Sequence, residues 1–229
     1  MKKNVIVSFA NSQSNYMLSL ARLSHSLKYN FDGDFMAFVG EHTLPGCPSH
    51  EETPYAFKLY AIQAARDVGY KNILWLDSSC FAVQPLSPIF DHIEEYGYIM
   101  QDAGHFVGVW SNDNCLRYFD LDRDVAMNLR CYGNAGFLGL NFEKQIANTF
   151  FNLWRDSMNA GVFCGKWNND KKTESQDERV RGHRHDLVAG SIIANKLGME
   201  YQSSQEWLQY AGPYDQRLND KIYICAQGL

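Results

Sequence analysis

The sequence predicts an α/β fold with a central, mostly parallel sheet and helices on both of its faces. Three observations carry that expectation. Short apolar runs without alternation occupy residues 5–10, 35–39 and 73–76, the pattern of strands covered on both sides. Between them stand segments whose apolar residues recur at helical spacing. The order strand, helix, strand is the opening of a parallel sheet, Rossmann-like in its connections.

Each element follows in turn. The first run ends on Ala10 and gives way to polar residues 11–15. Met17, Leu18, Leu20, Ala21, Leu23 and Leu27 then define a helix that stops near Asn30. Residues 35–39 form the second strand, closed by Gly40. Pro45, Gly46, Pro48 and Pro54 make residues 41–54 surface loop or short turns. Over 55–68 a helix presents Phe57, Tyr60, Ala61, Ala64, Ala65 and Val68 on one face, with Lys58 and Arg66 largely elsewhere, and Gly69 closes it. Residues 73–76 are a compact buried strand. After Pro85 and Pro88, residues 90–96 predict a short helix and 98–101 another strand. The region 103–130 is less regular. A strand at 136–140 leads to a helix at 142–158, with Ile146, Phe150, Phe151 and Trp154 on one side. Residues 166–185 hold twelve charged or histidine side chains in twenty positions and are expected to form a mobile, solvated loop. Helical spacing resumes over 186–196, and 222–225 is a last strand candidate. The stretch after the break, about 45 residues, is thin for a core of its own, so the expectation is one continuous domain over residues 1–229.

Composition narrows the function classes. Of 229 residues, 45% are hydrophobic and 21% charged, enough for a substantial core. Lys and Arg number 21 against 26 Asp and Glu, a net charge of -5 that argues against a nucleic-acid-binding stripe. The six cysteines form no C-x-x-C pair and read as small buried residues of a reducing compartment. The apolar start is too short for a signal-peptide core or a membrane span, so a cytoplasmic location is expected.

Chemistry concentrates at strand ends. Asp77 follows a wholly apolar strand, the edge where open α/β sheets bind ligands. A carboxylate there can hold Mg²⁺ or Mn²⁺ when diphosphate oxygens complete the shell. Ser79, two residues on, could add a hydroxyl to the metal, and Ser78 would face a sugar or ribose. Asp102 repeats the pattern of apolar strand and carboxylate. Asn134, Ala135 and Gly136 precede a third buried strand, where small residues permit close ligand approach. His183, Arg184, His185 and Asp186 end the polar loop and start a helix. Asp186 is an N-cap or first-turn residue, and each histidine could bind metal, act as a base or contact phosphate. Lys58 could reach a diphosphate from near the start of its helix.

In this order and spacing the segments resemble nucleotide-sugar glycosyltransferases of the GT-A fold, the group containing glycogenin and the bacterial lipopolysaccharide galactosyltransferases. The resemblance covers roughly residues 1–195. It rests on the stretch from Ala56 to Ser79, then Gln84 to Phe90, Gly133 to Leu138, and His185 to Gly190. It implies that Ala10, Asn11 and Ser12 hold the nucleotide and that Lys58 takes the basic role on the helix. Asp77 would be the first carboxylate of a metal motif whose second position is here Ser79. Asn134, Ala135 and Gly136 would lie against the donor sugar. Asp102 would be an acidic residue near that sugar, and Asp186 would lie beside the reacting sugar, with Leu187 where the family has Gln. The family's late metal-binding His has no counterpart, since no His follows His185.

The implied activity is transfer of a sugar from a UDP- or GDP-linked donor to an acceptor hydroxyl of a glycan or small glycoside, with Mn²⁺ or Mg²⁺ as cofactor. Asp186 or Asp102 would orient the sugar or acceptor, and would be the general base if the reaction inverts the anomeric centre. Two other classes compete. A sugar-nucleotide nucleotidyltransferase would carry a Gly-rich, basic loop after the first strand, and residues 11–15 have neither feature. A non-catalytic carbohydrate- or nucleotide-sugar-binding protein would bind without turnover.

Overall fold

The computed structural model describes residues 3–132, 136–202, 206–211 and 222–228. The chain begins β1(Asn4–Ala10), α1(Ser14–Asn30), β2(Asp34–Val39), a 3-10 turn at Glu41–Thr43, α2(Ala56–Asp67), β3(Asn72–Leu76), β4(Cys80–Ala82), α3(Ser87–Tyr96) and β5(Tyr98–Ile99). It continues β6(Asp102–Phe106), α4(Val107–Trp110), α5(Asp113–Tyr118), α6(Arg123–Ala126), β7(Arg130–Tyr132), β8(Phe137–Asn141), α7(Gln145–Asn159), α8(His185–Lys196), β9(Leu208–Tyr210) and β10(Ile224–Ala226).

The central sheet has the order β2-β1-β3-β8-β5. β1 pairs in parallel with β2 and β3, while β8 runs antiparallel to both β3 and β5. The sheet is therefore mostly parallel, with β8 reversed. Side chains alternate between its faces, as the strand period of two requires. Val5, Val7, Ile73, Trp75, Leu138 and Leu140 join one core cluster with residues of α2, α7 and α8. Ile6, Leu74, Leu76 and Phe137 join the other, against Leu20, Leu23 and Leu27 of α1 and Ile89, Phe90 and Ile93 of α3. Helices thus cover both faces.

Two smaller sheets frame the C-terminal ends of the strands. β4, β10 and β9 form one, and β6 pairs with β7 as the other. Arg22 ties the first in place, donating to the carbonyls of Ser79, at 2.9 Å, and Gln227. The region expected to be irregular contains β6 and the short helices α4, α5 and α6. Asn112 and Asp122 cap α5 and α6 by accepting backbone N–H bonds, at 2.8 Å from Cys115 and from Asp124.

Residues 166–184 lack regular structure yet are less solvated than their composition suggests. Asn169 is buried and donates to the carbonyls of Ser175 and Val180 at 2.8 and 3.2 Å. Its own carbonyl accepts from the Glu174 and Ser175 amides. The strand-like return is fixed by Arg181 N–H to Val109 O and Arg184 N–H to Trp110 O, both 2.9 Å. Of the cysteines, Cys80, Cys115, Cys131 and Cys225 are buried, as expected, and Cys164 is exposed. Among the described residues, no helix is long and apolar enough to cross a membrane.

Candidate active site

β3 ends at Leu76, and Asp77 follows on the side of the sheet that Trp75 occupies. The Trp75 indole N–H donates to Asp77 Oδ1 at 2.9 Å, which fixes the carboxylate toward α2 and α8. Lys58 reaches the same point from α2. Its side chain is 1% exposed, with Nζ 2.9 Å from Asp186 Oδ2 and 3.6 Å from Asp77 Oδ1. The rings of Tyr55 and Trp75 flank the ammonium at 5.0 and 5.8 Å. Three charges from α2, the end of β3 and the first turn of α8 therefore meet behind the sheet edge.

Burial sets the electrostatics of this triad. It pushes the Asp186 carboxyl up to about 6, with the Lys58 ammonium pulling the other way. Burial opposes the charge on Lys58, but attraction to Asp186 and Asp77 leaves its pKa raised. Both directions are compatible with an ion pair at neutral pH. A negative side chain in the first turn of α8 is also favoured by the unpaired N–H groups there. The two helices enter the site on strained residues: Tyr55 has φ 62 and His185 φ 44, left-handed conformations that side chains seldom adopt.

Two adjoining cavities open here, and they share Tyr55 and Asp77. The first, about 290 Å³, is bounded by Asn11, Tyr16, Ser78, Ser79 and the stacked rings of Phe9 and Phe57, 4.2 Å apart. The second, about 310 Å³, is charged: Lys58, Asp186, Arg184 and His185 border it, with Gly136 in its wall. Gly136 matters by its size. A Cβ there would lie 2.9 Å from Asp77 Oδ2. Its carbonyl accepts the Asp77 N–H at 3.0 Å, so strand β8 and the carboxylate are locked together.

The structure gathers Asn11, Lys58, Asp77, Ser78, Ser79, Gly136, His185 and Asp186 around the two cavities. Ala10 is buried and its carbonyl accepts from Gly40, while Ser12 is exposed; neither borders either of these two cavities. Asn134 and Ala135 lie outside the described residues. Asp102 is placed apart from the others. It is not among the residues bordering the second cavity with Asp186 but starts the β6–β7 ribbon, where Arg130 forms an ion pair with it at 2.6 Å. Lys58, expected off the apolar face of its helix, is buried by its two acidic partners.

The histidines separate. His183 Nδ1 accepts from the Asn112 amide at 3.2 Å and Nε2 lies 2.8 Å from Val162 O. Burial, with His185 nearby, pushes its pKa down to about 3, so it is a neutral structural group. His185 Nδ1 lies 2.8 Å from Phe163 O, while its buried Nε2 has no hydrogen-bond partner among the described residues and the ring borders the second cavity. Sequence reasoning missed Tyr55, Tyr16, Trp167 and Tyr210, which also line the cavities.

Among the described residues, no group of three His, Cys, Asp or Glu side chains is placed to hold a metal ion. Asp77 Oδ1 is engaged by Trp75 and faces Lys58, which leaves Oδ2 and the neighbouring serine hydroxyls. So small a donor set fits a Mg²⁺ or Mn²⁺ ion whose shell a diphosphate completes, not one caged by protein alone.

No protein-family model matches the chain, and no curated protein sequence matches it. Solved structures do. The fold is similar to mouse xyloside xylosyltransferase 1, apo form, with a TM-score of 0.52 at 10% identity over 98% of this chain and 97% of that one. It is also similar to the apo structure of the bifunctional glycosyltransferase WbbM, with a TM-score of 0.50 at 14% identity over 98% of this chain and 45% of that one. The fold that the sequence resemblance implied is therefore the fold observed, that of these glycosyltransferases.

Proposed function

We propose that the chain is a glycosyltransferase that moves a sugar from a UDP- or GDP-linked donor to an acceptor hydroxyl of a glycan or small glycoside. One observation carries the reading: two cavities of similar size meet at Asp77, with a buried lysine ammonium at the junction. The first is lined by aromatic rings and suits a nucleoside. The second is charged and suits a sugar. A diphosphate joining the two would cross the junction beside Lys58 and Asp77.

In the transfer, the bond between the sugar's anomeric carbon and the phosphate oxygen breaks, and the electron pair leaves on the diphosphate. The acceptor oxygen bonds to that carbon and gives up its proton. Lys58 offsets the charge that grows on the leaving group, in a site where water cannot screen it. Asp77 and Ser79 would hold Mn²⁺ or Mg²⁺ with the diphosphate oxygens. When bound, such an ion supplies further neutralisation of the leaving group. Asp186 is held against Lys58 at the edge of the sugar cavity, where it orients sugar hydroxyls or receives the acceptor's proton. Likeness of fold to two glycosyltransferases supports the reading. The nucleotidyltransferase alternative gains nothing from residues 11–15, of which Asn11 borders the first cavity and Gln13 only closes a turn onto it at 3.1 Å.

The test is a panel of nucleotide sugars with simple glycosides, product detected by NMR, run with Mn²⁺ and with EDTA. One donor is expected to give transfer, and chelation to weaken UDP or GDP binding in calorimetry. Transfer that survives EDTA unchanged would leave Lys58 as the cation of the site. Binding of donors without transfer to any acceptor would support the non-catalytic alternative.

A further inference from the structure

Arg184 borders the second cavity in an unusual setting. Its guanidinium lies between two indoles, 4.1 Å from the Trp110 ring centroid and 3.9 Å from that of Trp167. Trp110 is fixed by α4. Trp167 is fixed by the loop, whose backbone passes so close to Gly182 that a Cβ there would lie 2.0 Å from the Trp167 carbonyl oxygen. The two indole contacts hold the guanidinium in place. Among the described residues its N–H groups meet neither a carboxylate nor a hydrogen-bond acceptor.

A second group beside it is also unfilled. His185, 2% exposed, borders the same cavity, and its buried Nε2 is unpartnered among the described residues. Its Nδ1 faces a carbonyl oxygen, so the proton sits on Nδ1 and Nε2 is an acceptor. The surroundings are cationic: burial lowers the pKa of His105, which borders the cavity, and Arg184, Arg130 and Arg181 lower it further, against Asp102. The charged groups of the cavity thus divide. Asp77 and Asp186 gather on Lys58, and Arg184 stands with the unpartnered Nε2 of its chain neighbour His185.

We propose that the Arg184–His185 side of this cavity binds an acidic acceptor sugar, Arg184 taking its carboxylate or phosphate and the buried His185 Nε2 accepting a hydroxyl of a sugar that enters the cavity. A planar guanidinium held in advance binds such an oxyanion in two parallel bonds with little ordering cost. The exposed Trp167 face beside it suits the apolar face of a sugar ring. Arg184 borders the second cavity and not the first, which separates it from the donor's nucleoside. The inference rests on the transferase reading above for the word acceptor, but the acid site itself does not.

Calorimetry on the whole chain, with UDP present and absent, tests it. The probes are methyl glucuronide and galacturonide, glucose 6-phosphate and galactose 6-phosphate, and the neutral methyl glucoside and galactoside. At least one acid-bearing sugar is expected to bind tenfold or more tightly than its neutral partner, and the uronide and phosphate arms show which acid is taken. Arg184→Gln is expected to erase the preference. Arg184→Lys, which keeps the charge and loses the planar fork, is expected to keep part of it and guards against a misfolded first variant. No preference for acid-bearing sugars, including no binding at all, overturns the proposal. So does a tenfold loss of UDP affinity in Arg184→Gln, which would put the guanidinium on the donor diphosphate. A chain that keeps the Arg184-dependent preference but binds no nucleotide or nucleotide sugar retains the acid site and loses the transferase reading.

Discussion

The two carboxylates that share the Lys58 ammonium differ most in their access to water. The side chain of Asp186 is 3% exposed and that of Asp77 is 39% exposed. Asp186 sits 2.9 Å from the nitrogen, and Asp77 0.7 Å further away, at 3.6 Å. A buried carboxylate with one close cation is committed to it, because separating them would leave a charge without compensation. An exposed carboxylate at a cavity junction is free to take a second cation from solution. In the proposed reading, Lys58 would divide the roles, occupying Asp186 and leaving Asp77 for a metal diphosphate.

Removing the shared cation should have the largest effect. Lys58→Met keeps the bulk and leaves Asp186 buried and unpaired, which is expected to cost about 3–5 kcal/mol near pH 8 and to abolish transfer. The pH dependence follows from the sign of the Asp186 shift. Its pKa is raised on folding to about 6, so the folded chain holds a proton that the unfolded chain releases. The stability this group contributes is fully present below its unfolded value, about 4, and is lost as pH rises through the folded value. Without Lys58 the shift grows, so the melting temperature of the variant should recover toward wild type between pH 8 and pH 5. A deficit of equal size at both values would mean that Asp186 is not the charge left behind.

Exchanging each carboxylate for its amide sharpens the contrast. Asp77→Asn retains an acceptor for the Trp75 N–H and loses the negative ligand. We expect UDP affinity in Mn²⁺ to fall at least tenfold, with little change in EDTA. Asp186→Asn should keep nucleotide affinity near wild type and lower turnover about a hundredfold, the usual worth of a positioned acid or base. In the wild type, turnover should fall on acidification with a midpoint near 6, as Asp186 takes a proton. Equal losses of nucleotide affinity in the two variants would erase the division of roles. Gly136→Ala should act more weakly and only through Asp77. The added methyl would lie 2.9 Å from Oδ2 and push the carboxylate aside, so donor affinity should drop by severalfold while the Asp186-dependent step is spared.

Much of the frame was legible from period alone. Strands β1, β3 and β8 are apolar in consecutive runs because both their faces are covered, whereas β2, at the sheet edge, is only half-buried. Helical spacing located α1, α2 and α7, but α1 buries Leu20, Leu23 and Leu27 and leaves Met17 and Leu18 exposed, and α2 buries Leu59 and Ile62 while Val68, its C-cap, is exposed. The site was legible where chemistry sits on the strand end itself, as at Asp77 and Gly136. Lys58 was harder. Its burial depends on Asp77 and Asp186, which arrive from segments far along the chain, and no helical pattern within 55–68 contains them. The charged stretch 166–185 misled in the same way. Counting its charges missed Asn169, whose side chain bonds the loop to itself, and the Trp167 indole that stacks on Arg184. Short strands such as β4 and β9 carry three residues each, too few for any periodicity to register.

The smallest expected effect comes from the carboxylate that looked most like Asp77. Asp102 also follows an apolar strand, but β6 turns away from the central sheet, pairs with β7, and brings Arg130 onto its carboxylate at 2.9 and 2.6 Å. The side chains of Asp102 and Arg130 are 21% and 39% exposed, so water already screens the pair and its worth is about 0–1 kcal/mol. Asp102 Oδ1 also accepts the Gly104 amide at 2.7 Å, a bond that an amide oxygen can keep. Asp102→Asn should therefore shift the melting temperature by no more than a few degrees and leave turnover within twofold of wild type. A loss as large as that of Asp186→Asn, with nucleotide affinity intact, would move the sugar-facing carboxylate to Asp102. It would require the β6–β7 ribbon to swing Asp102 off Arg130 when the acceptor binds. Arg130→Gln separates the two outcomes. If the ion pair only braces the ribbon, this variant behaves as Asp102→Asn does; if the pair restrains a reacting carboxylate, freeing Asp102 should raise turnover instead.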